Sequence, residues 1–311
     1  MAVHDPLPQA AGAFFLTDGG LETTLTFLEG IELPCFASFP LLLDPLGRKR
    51  LERYYEPYLR IARERRVGFL LDTPTWRANP DWGAKLGYDP EAIDRINREA
   101  VSWAKGMRDR HASPDTPVVI NGVIGPRGDG YRPDAATSPE EAQAYHAAQI
   151  AAFREAGADL ASAMTLSTAE EAIGITRAAK AEGLPVVISF TVETDGALAT
   201  GEALREAVRR VDEATDGGPA YFMVNCAHPT HFARILAEGG WTTRIHGIRA
   251  NASAKSHAEL DESTELDIGD PAELGRHYRS LRNRMGHLRV LGGCCGTDHR
   301  HIAAIAEACL A

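Results

Sequence analysis

The sequence predicts an α/β protein that folds as a single (β/α)8 TIM barrel, with its functional site at the C-terminal ends of the strands. Eight short apolar runs alternate with longer segments of helical character along the chain. The 311 residues are enough for one such barrel, which uses about 250 residues or more. The first run ends in Asp18-Gly19-Gly20 and lacks the glycine-rich dinucleotide loop of an open doubly wound sheet.

The strands are assigned to the eight apolar runs, and the helices to the longer segments between them. The predicted strands are residues 13–18, 67–72, 117–122, 158–164, 185–190, 220–225, 244–248 and 288–292. The predicted helices are residues 92–110, 139–156, 168–182, 201–214, 271–285 and 298–310. Ser138 and Asp270 each stand just before a proline, which is a helix start signal.

The pattern is weakest in two segments, the connection 26–53, which has room for short helices, and the polar insert 251–269. No change in composition and no low-complexity linker divides the chain. We therefore expect one domain that covers residues 1–311.

The composition of the chain disfavours some classes of binding partner and indicates a cellular compartment. With 33 basic and 43 acidic side chains the formal net charge is −10, which disfavours nucleic acid as a partner. No apolar run approaches the roughly 20 residues needed to cross a bilayer, so no membrane partner is expected. The N-terminus lacks a basic region and a long apolar stretch, and the five cysteines are an odd number. A cytoplasmic protein with reduced thiols is expected, and its oligomeric state is left open.

Three cysteines fall where the barrel would place its functional site. Cys226 follows the sixth predicted strand, and Cys294 and Cys295 follow the eighth. Three thiolates at the open end of a barrel would suit a catalytic zinc ion, whose fourth position stays free for water or substrate. Adjacent residues of a regular strand point to opposite faces, so the glycines that flank the pair must turn the chain for both sulfurs to reach one metal.

The cysteine pattern alone leaves two other interpretations open. Free cysteines are often small buried hydrophobic residues, which is the expectation for Cys35 and Cys309. The adjacent Cys294 and Cys295 would also suit a redox-active pair in a sensor or zinc-binding regulator without catalysis.

Three segments carry a resemblance to a known family. Residues 18–23 (DGGLET), 224–229 (VNCAHP) and 292–297 (GGCCGT) resemble the signature segments of zinc-dependent homocysteine S-methyltransferases, and residues 121–128 are similar as well. The match spans the homocysteine-binding barrel in the right order. It implies Zn²⁺ held by Cys226, Cys294 and Cys295. It also implies transfer of a methyl group from a small donor, S-methylmethionine or S-adenosylmethionine before betaine, to homocysteine, forming methionine.

The resemblance also assigns roles near the first and sixth strands. It makes Asp18 and Asn225 the candidate catalytic residues, with Asp18 holding the ammonium group of the acceptor and Asn225 orienting the loop that carries a zinc ligand. Gly19 and Gly20 would let backbone groups approach the substrate closely. From the residues alone, Asp18 would be a helix N-cap or turn residue and Asn225 a turn residue.

The sequence departs from the family at the end of the fourth strand. The family usually presents a glutamate followed by threonine there, and this chain has Met164 and Thr165. Both residues are expected in the substrate pocket, and Glu193 after the fifth strand is a candidate for the missing charge. Without that acid, a zinc-dependent S-methyltransferase with a different thiol acceptor is the alternative.

Overall fold

The computed structural model describes residues 7–131, 137–237 and 239–310 and confirms the predicted barrel. Residues 1–6, 132–136, 238 and 311 of the predicted domain lie outside the described ranges. Eight strands pair in parallel in chain order, and the eighth pairs with the first, so the sheet closes. The strands are β1 (Phe15–Leu16), β2 (Gly68–Asp72), β3 (Val118–Ile124), β4 (Leu160–Leu166), β5 (Val186–Phe190), β6 (Tyr221–Asn225), β7 (Ile245–Ala250) and β8 (Val290–Gly293).

The strands are apolar on both faces because both faces are covered. One set of side chains fills the interior of the barrel, among them Phe15, Leu70, Val119, Tyr221 and Met223. The other set faces outward and packs under the helices in one large core. This double burial explains why the sequence shows continuous apolar runs instead of alternation.

The longer helices cover the outside of the barrel, and residues of the short helices that begin at Leu21 and His257 line a cavity at its C-terminal end. The helices are α1 (Leu21–Thr23), α2 (Pro45–Arg65), α3 (Pro80–Lys85), α4 (Pro90–His111), α5 (Pro139–Ala156), α6 (Ala169–Glu182), α7 (Leu204–Thr215), α8 (Pro229–Phe232), α9 (His257–Asp261), α10 (Pro271–Arg284) and α11 (His299–Leu310). Short turns of other helical types are Thr24–Leu28, Pro34–Phe36, Phe39–Leu43, Ile235–Ala237 and Gly240–Arg244. All six predicted helices are present, and Ser138 and Asp270 cap α5 and α10 as expected.

Helix α2 is the main element that the sequence pattern missed. Its first residues lie in the connection 26–53, where Asp44 caps the helix through two backbone N–H groups. Its buried face is built largely from tyrosines, including Tyr54, Tyr55 and Tyr58, whose polar hydroxyls weaken the apolar signal on which the prediction relied. Among the described residues, none of the helices combines the length and apolar character needed to cross a membrane.

Candidate metal centre

The three predicted cysteines meet at the C-terminal end of the barrel. The sulfur atoms of Cys226, Cys294 and Cys295 all lie within 4.8 Å of one another, and Cys226 Sγ is 3.5 Å from Cys295 Sγ. All three are free thiols. The sequence therefore identified three donors that the fold brings together from two strands 68 residues apart.

Cys226 sits on a backbone bend that the surrounding residues hold in place. Its φ of 56° lies in the left-handed region, which is unusual for a residue with a side chain. Its carbonyl oxygen accepts hydrogen bonds from His257 Nε2 at 2.7 Å, Asn251 Nδ2 at 3.0 Å and Thr191 Oγ1 at 3.3 Å. These bonds fix the direction of the Cys226 sulfur. His257 belongs to the polar insert 251–269, and the sequence did not reveal that this insert contributes to the site.

The adjacent cysteines both reach the cluster because the chain leaves the strand before them. Strand β8 ends at Gly293, and Gly296 takes a φ of 76° in the turn that follows. The Thr297 hydroxyl donates to the Cys294 carbonyl oxygen at 2.7 Å and closes this turn. Of the glycines that flank the pair, only Gly296 adopts a φ in the left-handed region, whereas Gly292 and Gly293 belong to strand β8.

Gly20 is in close contact with the cysteine turn, which leads to a first prediction. A Cβ atom at this position would lie 2.7 Å from the Cys294 carbonyl oxygen and would also overlap Thr23 Oγ1. We expect Gly20→Ala to lower the free energy of unfolding by about 1–3 kcal/mol and to weaken metal binding, since the backbone of Cys294 must move. Chemical denaturation and zinc titration measure both effects. Gly286→Ala, where the Cβ meets open space, is the control, and equal behaviour of the two variants would contradict the prediction.

The chemistry of the donor set fits a divalent cation. Hydrogen bonds shared with Cys294 and Cys295 hold the pKa of Cys226 well below its usual range, and the hydroxyl of Tyr131, 2.8 Å from the Cys226 sulfur, adds to this effect. The hydrogen bonds to Cys226 raise the pKa of Cys294 to about 12 and raise the pKa of Cys295 well above its ordinary value. One thiolate thus suppresses the ionisation of its neighbours, and a dication among the sulfurs would remove that repulsion.

A cavity of about 440 Å³ opens beside the three sulfurs. Six sequence-predicted residues share this space with the cysteines, namely Asp18, Gly19, Gly20, Met164, Thr165 and Asn225. Glu193 is absent from the described lining, and its Oε1 atom pairs with His257 Nδ1 at 3.1 Å. It contacts a residue of the lining through this pair with His257.

Asn225, the last residue of β6, is fully buried, and its side chain forms hydrogen bonds to residues of β4 and to a residue of β5. Its Oδ1 atom accepts from the backbone N–H of Thr165 at 2.9 Å and from the Ser189 hydroxyl at 2.7 Å. Its Nδ2 atom donates to Thr165 Oγ1 at 2.9 Å and lies 3.8 Å from the Cys294 sulfur. This arrangement holds Thr165 at a φ of 64° and places an amide beside the cluster.

Asp18 takes part in a buried charge network that the sequence did not reveal. The Arg249 guanidinium lies 2.5 Å from Asp18 Oδ1 and also forms a close ion pair with Asp72. Tyr54 donates to Asp18 Oδ2 at 3.0 Å, and Asn121 Nδ2 donates to Asp72 Oδ1 at 2.7 Å. Each oxygen of both carboxylates therefore has a protein partner. Burial raises the pKa of Asp18 to about 7 against the opposing charge of Arg249.

The sequence offers only a weak signal for this network. Asp72, Asn121 and Arg249 stand at the ends of three predicted strands, which is where a barrel displays functional side chains. Nothing in the spacing indicates that one arginine spans two aspartates from other strands. Tyr131, which reaches the Cys226 sulfur, lies in the connection between β3 and α5.

The comparisons with known proteins agree with this geometry. A family model described as homocysteine S-methyltransferase matches residues 15–309. The chain belongs to the homocysteine S-methyltransferase family. Homocysteine S-methyltransferase of Escherichia coli strain K12 is 25% identical over 250 residues, which cover 75% of this chain and 77% of that protein. The resemblance predicted from the three motifs is confirmed, and so is the assignment as a homocysteine S-methyltransferase-like enzyme.

Solved structures support the fold of this family member. The oxidised form of the homocysteine methyltransferase MmuM from Escherichia coli is similar with a TM-score of 0.78 at 22% identity, covering 97% of this chain and 99% of that one. Its metallated form gives a TM-score of 0.74 at 21% identity, with coverage of 95% and 96%. These values establish a shared barrel.

Proposed function

We propose that the protein transfers a methyl group from a small sulfonium donor, S-methylmethionine or S-adenosylmethionine, to the thiol of homocysteine, forming methionine. The observation that carries the proposal is the convergence of three cysteine sulfurs within 4.8 Å in the wall of a cavity that is large enough for small substrates. Cys226, Cys294 and Cys295 would hold Zn²⁺ there. Since three reduced thiols are required, we place the enzyme in a reducing compartment such as the cytoplasm.

Zinc bound by three thiolates supplies a site that keeps an incoming thiol deprotonated at neutral pH while the sulfur stays nucleophilic. The protein residues hold this donor set in place. His257, Asn251 and Thr191 fix the Cys226 backbone, and Glu193 fixes the His257 ring. In this proposal Glu193 acts by orienting His257, and Asn225 orients the cluster through its contact with the Cys294 sulfur.

The reaction is a displacement at the methyl carbon. A lone pair of the acceptor sulfur forms the new sulfur–carbon bond, and the bond from the methyl group to the donor sulfur breaks with its electron pair moving to that sulfur. The cationic donor leaves as a neutral thioether, and the acceptor thiol loses its proton to solvent before the attack. Gly19, Gly20, Met164 and Thr165 would shape the wall against which the acceptor lies.

The charge of the cavity favours a cationic donor. Its described lining holds seven carboxylate side chains against two arginines. Aromatic side chains at Phe27, Phe36, Trp76 and Tyr131 also face the cavity and would attract a sulfonium group through their π-faces. Both features support S-methylmethionine or S-adenosylmethionine over an uncharged donor.

We further propose that residues 1–311 act as one domain, because the walls of the cavity come from segments along most of the chain.

A paired-substrate assay tests this function. Reduced, zinc-supplemented enzyme is incubated with each donor in turn and with a panel of thiols, and the products are identified by mass. We expect methionine from homocysteine and a sulfonium donor. A second candidate acceptor is favoured by Met164, which places an apolar side chain on the cavity wall where the family usually has an acid. Turnover exclusively with thiols other than homocysteine would reject the first acceptor and select the second.

A further inference from the structure

An amino acid acceptor needs a counter-charge for its ammonium group, and Asp18, which lines the pocket, already shares its charge with Arg249. Both of its oxygens are already bonded, to Arg249 and to Tyr54. Met164 offers no charge at all. The cavity wall does contain another acid and another base, Glu22 and Arg77, that lie on the first and second βα connections.

Glu22 is rigidly tied to the cysteine turn. Helix α1, which carries it, follows Gly20, and the Gly20 backbone N–H donates to the Thr297 carbonyl oxygen at 3.0 Å. The backbone N–H of Gly296 in turn donates to Thr23 Oγ1 at 3.2 Å. The residues on both sides of Glu22 are therefore hydrogen-bonded to the turn that carries Cys294 and Cys295.

The Glu22 carboxylate is desolvated but only partly satisfied. The Ser38 hydroxyl donates to Oε1 at 2.7 Å, and within the described ranges no basic side chain forms an ion pair with Glu22. Burial raises the pKa of Glu22, and the hydrogen bonds from Ser38 and from the backbone of Glu22 itself oppose that rise more strongly than the charge of Arg77 does. A carboxylate in this state gains from a cationic partner that enters the cavity.

Arg77 is held as a flat, open guanidinium group. It lies between two indole rings, 4.2 Å from the centre of Trp76 and 3.6 Å from that of Trp82. Its Nη1 atom makes one long hydrogen bond of 3.4 Å to the Gly128 carbonyl oxygen, and its buried Nε has no partner among the described atoms. A guanidinium has five donors in a fork that matches a carboxylate. Apart from the bond to Gly128, the Arg77 donors make no hydrogen bond among the described atoms, and the nearby charge of Asp129 opposes the lowering of the pKa of Arg77 by burial.

We propose that Glu22 and Arg77 form a clamp for the α-amino acid group of the acceptor, with Glu22 binding the ammonium and Arg77 the carboxylate. This inference rests on the proposed function. It deepens that function by assigning the acceptor to the α-amino acid class, although the usual acid is replaced by Met164. The link between Glu22 and the cysteine turn points to the acceptor, whose sulfur must reach the cluster, and not to the donor.

Three thiols separate the two halves of the clamp. Homocysteine carries both groups, mercaptobutanoate lacks the ammonium, and mercaptopropylamine lacks the carboxylate. Their dissociation constants are measured by calorimetry on zinc-loaded enzyme. We expect Glu22→Gln to weaken homocysteine and mercaptopropylamine binding by about 10- to 100-fold while mercaptobutanoate changes by less than about twofold. Arg77→Gln should weaken homocysteine and mercaptobutanoate to a similar extent and spare mercaptopropylamine.

Exposed residues supply matched controls. Glu29→Gln and Arg65→Gln remove the same charges outside the cavity and should leave all three constants unchanged. Equal weakening of all three thiols, or none, would overturn the clamp, because a structural role does not distinguish the ligands. A rise in the KM of the donor with unchanged thiol binding would also overturn the assignment to the acceptor. If the two variants show the expected binding pattern but wild-type enzyme never methylates homocysteine, the proposed function fails and the clamp stands.

Discussion

Cys226→Ser should abolish metal binding and almost all methyl transfer. Removal of one of three sulfur donors leaves two adjacent cysteines that cannot hold zinc with an open position for substrate. We expect the zinc content of reduced enzyme to fall from about one ion per chain to nearly none. The rate should fall by about a thousandfold, which corresponds to about 4 kcal/mol of transition-state stabilisation. Elemental analysis and product mass spectrometry measure the two effects.

Cys35→Ser is the matched control, because Cys35 lies outside the cluster and is exposed, so the expectation that it is buried is wrong. It should keep both metal and activity. Circular dichroism of Cys226→Ser separates loss of metal from loss of fold, and Cys295→Ser provides a second variant at a different strand end. If the folded Cys226→Ser protein keeps its zinc and its rate, the three-cysteine centre is wrong.

The cysteine cluster could be predicted because its determinants are local. Cys226 and the Cys294–Cys295 pair each end a recognisable apolar run, and all parallel strands of a barrel present their carboxyl ends at the same face. The glycines beside the pair mark the turn that lets both sulfurs face inward. Family resemblance then added the order of the motifs. The barrel itself could be predicted from the number of apolar runs that alternate with helical segments. These runs are apolar throughout because both faces of each strand are buried.

The rest of the site depends on contacts between side chains from distant segments. Arg249 pairs with two aspartates that lie 177 and 231 residues away in the chain. Neither the period of the sequence nor any motif specifies which strand-end charges will pair. Glu22 lies inside a recognised motif, but its contact with Ser38 depends on the connection 26–53, where the pattern was weakest. Side-chain direction in such loops is set by packing and not by local preference.

Arg249→Leu should be the most destabilising substitution in the cavity wall. Arg249 is the cation between Asp18 and Asp72, and all three side chains are almost fully buried. Without it, two carboxylates remain in a desolvated space with only neutral hydrogen-bond partners. Breaking a buried ion pair in this way costs about 3–5 kcal/mol. Chemical denaturation measures the loss, and Arg60→Leu on the exposed face of α2 should change stability by less than about 0.5 kcal/mol.

The pH dependence of the stability lost in Arg249→Leu tests whether the loss is electrostatic. Burial raises the pKa of Asp18 to about 7 in the folded protein, above its ordinary value of 3.8, and Arg249 opposes that rise. Removing the arginine should therefore raise the folded pKa further. A folded state with a raised carboxyl pKa binds more protons than the unfolded state, so it loses stability as pH increases from about 4 to above 7. The stability difference between wild type and Arg249→Leu should be larger at pH 8 than at pH 5, whereas loss of packing alone would give the same difference at both.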